Sequence, residues 1–267
     1  MLDLTRLFQA NYLMNSINDL KKELQKLADL KKAKILQGFF KTGKGEYGEG
    51  DVFLGITVPQ SRKIAIKFRN LSFSEIRELL KSKIHEERLI ALLILVNNFN
   101  VGDEKTSHFA RASRDKQKKI YNFYLKNTKY INNWDLVDLS ADKIIGGFLF
   151  SKGSFYFAQD INSSILETLA SSKNLWERRI AMIATYYFIK NNKFKEALQI
   201  AEILRSDKHD LIQKAVGWML REVGKRDLKV EIGFLNEHYK KMPRTMLRYA
   251  IEKFPEKLRI SYLGSKI

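Results

Sequence analysis

Apolar residues recur every three or four positions along most of this 267-residue chain. Over 84–99 they fall at Leu89, Leu92, Leu93 and Val96, and the same spacing returns over 180–189. Such spacing gathers apolar side chains on one stripe of an α-helix. No convincing run alternates apolar and polar residues at period two, so the pattern predicts an almost entirely helical chain. Several helix boundaries are legible. Pro59, after Thr57-Val58, suits a first helical position and opens a helix over 59–68. Ser72 and Glu75 have the spacing of a capping box before Ile76-Arg77-Glu78-Leu79-Leu80. Pro243 opens a helix over 243–253 that Pro255 ends. Helices of about 10–18 residues with short connectors predict helix hairpins in series.

One segment departs from this pattern. Residues 43–51 are glycine-rich, and Gly43, Gly45 and Gly48 make a formal G-x-G-x-x-G. A dinucleotide site needs a strand before that motif, and a helix precedes it here, so an ordered loop between the first helices is expected. A longer period is also present. The three tryptophans, Trp134, Trp176 and Trp218, stand at a uniform spacing of 42 residues, within the ~40–47 residue period of HEAT and armadillo repeats. His85-Glu86-Glu87-Arg88-Leu89-Ile90-Ala91 is echoed by Trp176-Glu177-Arg178-Arg179-Ile180-Ala181, which sets Arg88 and Arg179 91 residues apart, about two periods. The expected fold is therefore all-α: a HEAT-like or armadillo-type α-solenoid of antiparallel helix pairs, a stack that curves and presents a concave face. Residues 1–13 are expected to form a peripheral extension, and 14–267 a single domain.

Composition narrows the functional classes. The net charge of +18 sets up a field that attracts polyanions, nucleic acid ahead of an anionic membrane surface. Charge alone also fits a merely soluble basic protein. There are no cysteines, which excludes disulfides, thiolate metal sites and cysteine nucleophiles. The histidines, His85, His108, His209 and His238, are far apart and form no His-x-x-x-His pair, so no zinc site is expected. No apolar run reaches the ~18 residues of a membrane span. The first ten residues contain Asp3 and lack a long apolar core, so no secretory signal is expected. These features point to a cytoplasmic protein.

Four constellations bear on chemistry. In Asn132-Asn133-Trp134-Asp135-Leu136-Val137-Asp138, a helix places Trp134 and Asp138 on one face, an indole beside a carboxylate. The same residues also fit a core tryptophan and a solvated or capping carboxylate. In Trp176-Glu177-Arg178-Arg179, Arg179 shares a face with Trp176 and suits a phosphate contact, while a surface ion pair fits equally well. In 213–225, Lys214, Trp218, Arg221 and Lys225 step by four, three and four into one stripe of base, aromatic, base, base. A core helix does not surround its tryptophan with three cations, so this stripe favours a polyphosphate-facing surface. Gly217 within it allows the close approach of a neighbouring helix or ligand. Arg244 and Arg248 share a face at the start of the last proline-opened helix, as a phosphate site or as plain surface charge.

Taken in order and spacing, these segments resemble the DNA alkylation repair proteins built from HEAT-like repeats, the AlkD-type glycosylases. The resemblance runs from about Asn15 to the C-terminus. It is carried by Gly48-Glu49-Gly50-Asp51-Val52-Phe53-Leu54-Gly55 with Val58-Pro59, by Asn133 to Asp138, and by Trp176 to Arg179. Gln213 to Trp218, Pro243-Arg244-Thr245 and Leu247-Arg248-Tyr249-Ala250 complete it. The resemblance implies an all-helical solenoid with a basic concave groove for duplex DNA, and hydrolysis of the N-glycosidic bond of N3- or N7-alkylated purines. By the same resemblance Asp138 matches the catalytic carboxylate, Trp134 and Trp218 the aromatics that contact the damaged nucleotide, and Arg179 a residue at the DNA backbone. It also implies recognition without full base flipping. Lys214, Arg221, Lys225, Arg244 and Arg248 are further candidates for backbone contacts.

The scheme needs no metal or organic cofactor, because alkylation at N3 or N7 already makes the purine a good leaving group. No lysine stands out as a Schiff-base nucleophile, so a monofunctional enzyme is expected. The partner is double-stranded DNA with alkylated bases, with no membrane partner, and a monomer that associates with a bacterial-type nucleoid when on DNA. Two other classes fit the architecture: a non-catalytic nucleic-acid-binding solenoid and a protein-interaction scaffold.

Overall fold

A computed structural model of the protein describes residues 16–100, 107–153 and 159–264. The expected extension over 1–13 lies outside the described residues. The chain divides into two compact units, residues 1–140 and 141–267. The described residues are helical, apart from loops and an isolated parallel bridge between Val52 and Ile84.

The first unit contains α1 (Ile17–Leu27), α2 (Leu30–Phe39), α3 (Val58–Lys67), α4 (Phe73–Leu80), α5 (His85–Asn100), α6 (Ser107–Leu125) and α7 (Trp134–Ala141), whose final residue opens the second unit. The predicted caps are present. Ser72 and Glu75 close a reciprocal capping box on α4, and Pro59 lies in the first turn of α3. The box satisfies N–H groups that a helix start leaves without partners, and the proline, lacking an N–H, removes one of them. Helix α5 is the centre of the unit and packs against α3, α4 and α6. After its first turn it reads Leu89-Ile90-Ala91-Leu92-Leu93-Ile94-Leu95-Val96, apolar on every face, and all eight are buried. A helix apolar all round belongs inside a bundle.

The second unit contains a π-helical turn (Asp142–Gly146), α8 (Gly147–Gly153), α9 (Gln159–Ala170), α10 (Leu175–Lys190), α11 (Lys195–Leu204), α12 (Asp210–Gly224), α13 (Leu228–His238), α14 (Arg244–Ala250) and α15 (Glu256–Gly264). Helix α10 packs against α9, α11 and α12, and α12 packs against α13 and α14. Contact with the next helix and the next but one is how stacked helix pairs bury their apolar faces. Gly217 is where α12 and α14 meet, because a Cβ there would run into the backbone of Met246 and the side chain of Tyr249. Pro243 caps α14, which starts one residue later than the sequence suggests and gives way to a 3₁₀ turn over Ile251–Lys253.

The repeat is real but in a different register. Trp134 opens α7 and Trp176 is second in α10, whereas Trp218 is in the middle of α12. Their equal spacing therefore does not mark equivalent sites. The helix-start echo is structural, with Arg88 matching Arg178 rather than Arg179. Arg88 donates to the carbonyl of Ser82 at 2.8 Å, and Arg178 to that of Ser172 at 3.0 Å. Each serine hydroxyl in turn accepts from the backbone N–H two residues on, Ile84 and Asn174. Each arginine also pairs with an aspartate, Asp51 at 2.6 Å and Asp207 at 2.7 Å.

Candidate functional site

In the first unit the candidate site is built around the start of α7. Trp134 and Asp138, four residues apart, share one face of that helix, and both are half-buried. The other face is anchored: Ser140 donates to the carbonyl of Leu136 at 2.6 Å and lies 2.9 Å from the Tyr124 hydroxyl, with both side chains fully buried. Trp134 stacks on Phe40 with centroids 5.0 Å apart and planes 20° apart. Its edge meets exposed Phe39 at 5.8 Å. The stack continues inward through Phe40 on Phe53 at 5.0 Å and Phe53 on His85 at 4.4 Å.

His85 closes this stack within a buried polar cluster. Its Nδ1 lies 3.1 Å from Asp51, and its Nε2 lies 2.8 Å from Asp135. The same Asp51 oxygen accepts from Arg88 at 2.6 Å and from the Asn133 amide at 3.2 Å. Two cations and two carboxylates thus neutralise one another below the surface, the condition under which buried charge is tolerated. Asp51 reaches this cluster because its loop is sewn onto α5. The N–H of Val52 donates to Lys83, and the N–H of His85 to Val52. The Glu86 carboxylate accepts from three successive amides, Leu54, Gly55 and Ile56, at 2.9–3.2 Å. Gly55 has φ of +83°, a conformation that glycine adopts without the Cβ penalty. The glycine-rich segment is thus the expected ordered loop, and its function is to deliver Asp51 and Phe53.

Burial opposes protonation of His85, but the hydrogen bonds to Asp135 and Asp51 outweigh it and raise the imidazole to about 8. Burial would likewise raise Asp51, but the His85 hydrogen bond and the Arg88 charge hold it below the usual carboxylate value. In the second unit burial pushes Glu231 up to about 9 against the opposing charge of Arg221. The stability supplied by charged His85 is complete below its unfolded value of ~6.5 and is lost as pH rises through about 8. Glu231 works in the same direction, since its ionised form is favoured only on unfolding. Urea denaturation is therefore expected to show stability falling between pH 6 and 9, with about 2 kcal/mol from His85. In Glu231→Gln the fall should shrink but persist; a flat profile in that variant would show that His85 is not charged in the folded protein.

In the second unit the predicted stripe lies on α12 as expected, with Trp218 half-buried and 6.1 Å from Tyr186. Its cations have intramolecular partners: Lys214 with Asp210 at 2.9 Å, Arg221 with Glu252, and Lys225 with Glu222. Arg179 is buried, 5% exposed, and donates to the carbonyl of Leu211; neighbouring Trp176 is 8% exposed. The helix start that holds them turns inward, so neither lies on an open face. Arg244 and Arg248 are exposed on α14, and Arg244 donates to the carbonyl of Leu263 at 3.2 Å. Sequence reasoning did not single out Tyr186, over which Lys190 lies at 4.9 Å and Arg226 at 5.9 Å. It also missed the cluster of His85, Asp51, Asp135 and Asn133. The available signal was a histidine and three acidic or basic neighbours opening an otherwise apolar helix.

Among the described residues no helix is long and apolar enough to cross a membrane. The fold defines an all-helical protein of packed helix pairs, consistent with an α-solenoid. The chain belongs to the DNA alkylation repair enzyme family, whose model matches residues 20–254. Among solved structures it is similar to a protein described as a predicted DNA alkylation repair enzyme from Enterococcus faecalis, with a TM-score of 0.60 and 15% identity over 86% of this chain and 97% of that one. At that identity the likeness is one of fold. Comparison with curated proteins gives no match. Family membership supports a role in DNA repair, with DNA as the substrate class.

Proposed function

We propose that the protein is a monofunctional DNA glycosylase that hydrolyses the N-glycosidic bond of N3- and N7-alkylated purines in duplex DNA, without full base flipping. The observation that carries this reading is the pairing of Trp134 and Asp138 on one face of a helix whose start is fixed by a buried cluster. A cationic alkylpurine leaves with the electrons of the C1′–N bond, and positive charge develops on the sugar. The Asp138 carboxylate stabilises that charge and orients the water whose oxygen forms the new bond to C1′ and whose proton is lost to solvent, as carboxylates do in glycoside hydrolysis. The face of Trp134 adds cation–π attraction worth about 0.5–2 kcal/mol, which favours a charged lesion over a neutral base. This chemistry draws on side chains alone.

In the second unit, taken by itself, Trp218 offers an aromatic face to DNA, and Lys214, Arg221, Lys225, Arg244 and Arg248 offer positive charge to its backbone. The Lys214–Asp210 pair does not oppose this, because an exposed ion pair contributes only about 0–1 kcal/mol; Arg221 and Lys225 have less exposed pairs to give up. Arg179, being buried, is assigned instead to bracing the Leu211 carbonyl at the start of α12.

The test is release of free 7-methylguanine and 3-methyladenine from methylated duplex DNA by the 267-residue chain, with binding measured across salt concentration. Release, and a logarithmic affinity that falls by about 0.9 per phosphate contact with log salt, is expected. Salt-sensitive binding with no release would replace the glycosylase with a non-catalytic DNA-binding protein, and binding with little salt dependence would favour a protein scaffold.

A further inference from the structure

We infer that His85, clamped between Asp51 and Asp135, is a positioning residue that fixes Trp134 for contact with the damaged nucleotide. The inference rests on the glycosylase reading of Trp134 and deepens it. Three independent contacts lead from His85 to that indole. Asp135, the residue after Trp134, takes the Nε2 hydrogen bond at 2.8 Å. Asn133, the residue before it, donates to the same Asp51 oxygen that faces Nδ1, and its own Oδ1 accepts the Trp134 N–H at 2.8 Å. The ring itself stands on the stack of Phe53 and Phe40 that ends beneath Trp134. The backbone on both sides of the tryptophan and one face of its ring are therefore referred to a single imidazole.

The geometry also fixes the state of that imidazole. Both ring nitrogens face carboxylate oxygens, and only the imidazolium has an N–H for each. In a neutral ring one nitrogen turns a lone pair to its carboxylate; at Nδ1 the Arg88 guanidinium is a second neighbour, whereas at Nε2 the lone pair meets Asp135 in a site where unpaired polar contacts are costly. The charged groups facing the ring are Asp51 from the loop, Asp135 from α7 and Arg88 from its own helix, with Arg88 Nη2 3.5 Å from Nδ1. Loss of the Nε2 proton releases Asp135 from the ring, and with it the residue after Trp134, while Asp51 stays held by Arg88 and Asn133. A shift on the order of 1 Å in a positioning group is enough to cost ~100-fold in rate.

The experiment uses the wild-type chain, His85→Gln, Asp135→Asn and Trp134→Phe. Tryptophan fluorescence is followed from pH 6 to 9.5, and single-turnover release of 7-methylguanine is measured over the same range. In wild type a fluorescence step centred near pH 8 is expected, absent from Trp134→Phe and His85→Gln. The release rate should fall roughly 10- to 100-fold across that step. His85→Gln and Asp135→Asn should already release slowly at pH 7, with duplex affinity unchanged and without the step in rate. A folded His85→Gln that keeps the wild-type rate and pH profile would overturn the proposal. So would a wild-type fluorescence step that survives in Trp134→Phe. If His85→Gln does not fold, the comparison of wild type with Trp134→Phe decides alone. Wild type that releases no base at any pH sinks the glycosylase reading, while a retained Trp134 step still upholds the clamp.

Discussion

Arg88→Ala is expected to lower stability by about 3–5 kcal/mol, the cost of leaving a buried carboxylate without its partner. The side chain is 4% exposed and holds both Asp51, at 2.6 Å, and the carbonyl of Ser82, at 2.8 Å. Truncation therefore takes the guanidinium countercharge from Asp51, leaves the Ser82 carbonyl without its donor and opens a cavity in one step. Arg88→Lys should recover little, because one ammonium cannot span two acceptors as the planar guanidinium does. The matching Arg178→Ala should cost less, since the Arg178 side chain is 19% exposed and water can replace it at Asp207. Equilibrium urea denaturation with these three variants is the check. A loss in Arg88→Ala of less than about 1 kcal/mol, the scale of a surface pair, would show that the cluster is not an energetic unit.

The largest effect on activity is expected from Asp138→Asn. The substitution keeps size and removes charge, so base release should fall by about 10²–10³-fold, as when one preorganised electrostatic contact to a transition state is deleted. Affinity for duplex DNA should stay equal or become tighter, because a carboxylate facing phosphates is repelled by them. That opposition of rate and affinity separates catalysis from support. A substantially weaker complex would make Asp138 a structural residue, and unchanged release would move the chemistry elsewhere.

Much of the fold is legible in the chain. The period-3.6 pattern, the Ser72–Glu75 box and the prolines at 59, 243 and 255 are local signals, because caps and apolar stripes are settled within a few residues. The echo between the starts of α5 and α10 is legible too, though only the structure shows its true register, through the shared serine–arginine hook. The 42-residue tryptophan spacing misleads, because it matches positions that differ in their place along the helix.

The candidate site divides in the same way. Trp134 with Asp138, and the stripe from Lys214 to Lys225, are correctly placed on single helix faces by counting residues. Whether a face is open is not a local property. Arg179 looks like a surface cation beside an aromatic, yet the packing of α10 turns it inward against Leu211. The three cations of the α12 stripe carry carboxylate partners, one of them Glu252, far along the chain.

The sequence by itself determined the helices, most of their ends, the strongly basic charge, and the indole and carboxylate one turn apart. These follow from covalent neighbourhood, composition and a fixed helical period. Only the tertiary structure decided which charges are buried, which are paired and what stands behind Trp134. Asp51, His85, Arg88, Asn133 and Asp135 meet across separations of up to 84 residues, and no local period encodes such a meeting. It arises when the Glu86-bound loop and the apolar α5 are packed together, and burial then makes the proton on His85 matter.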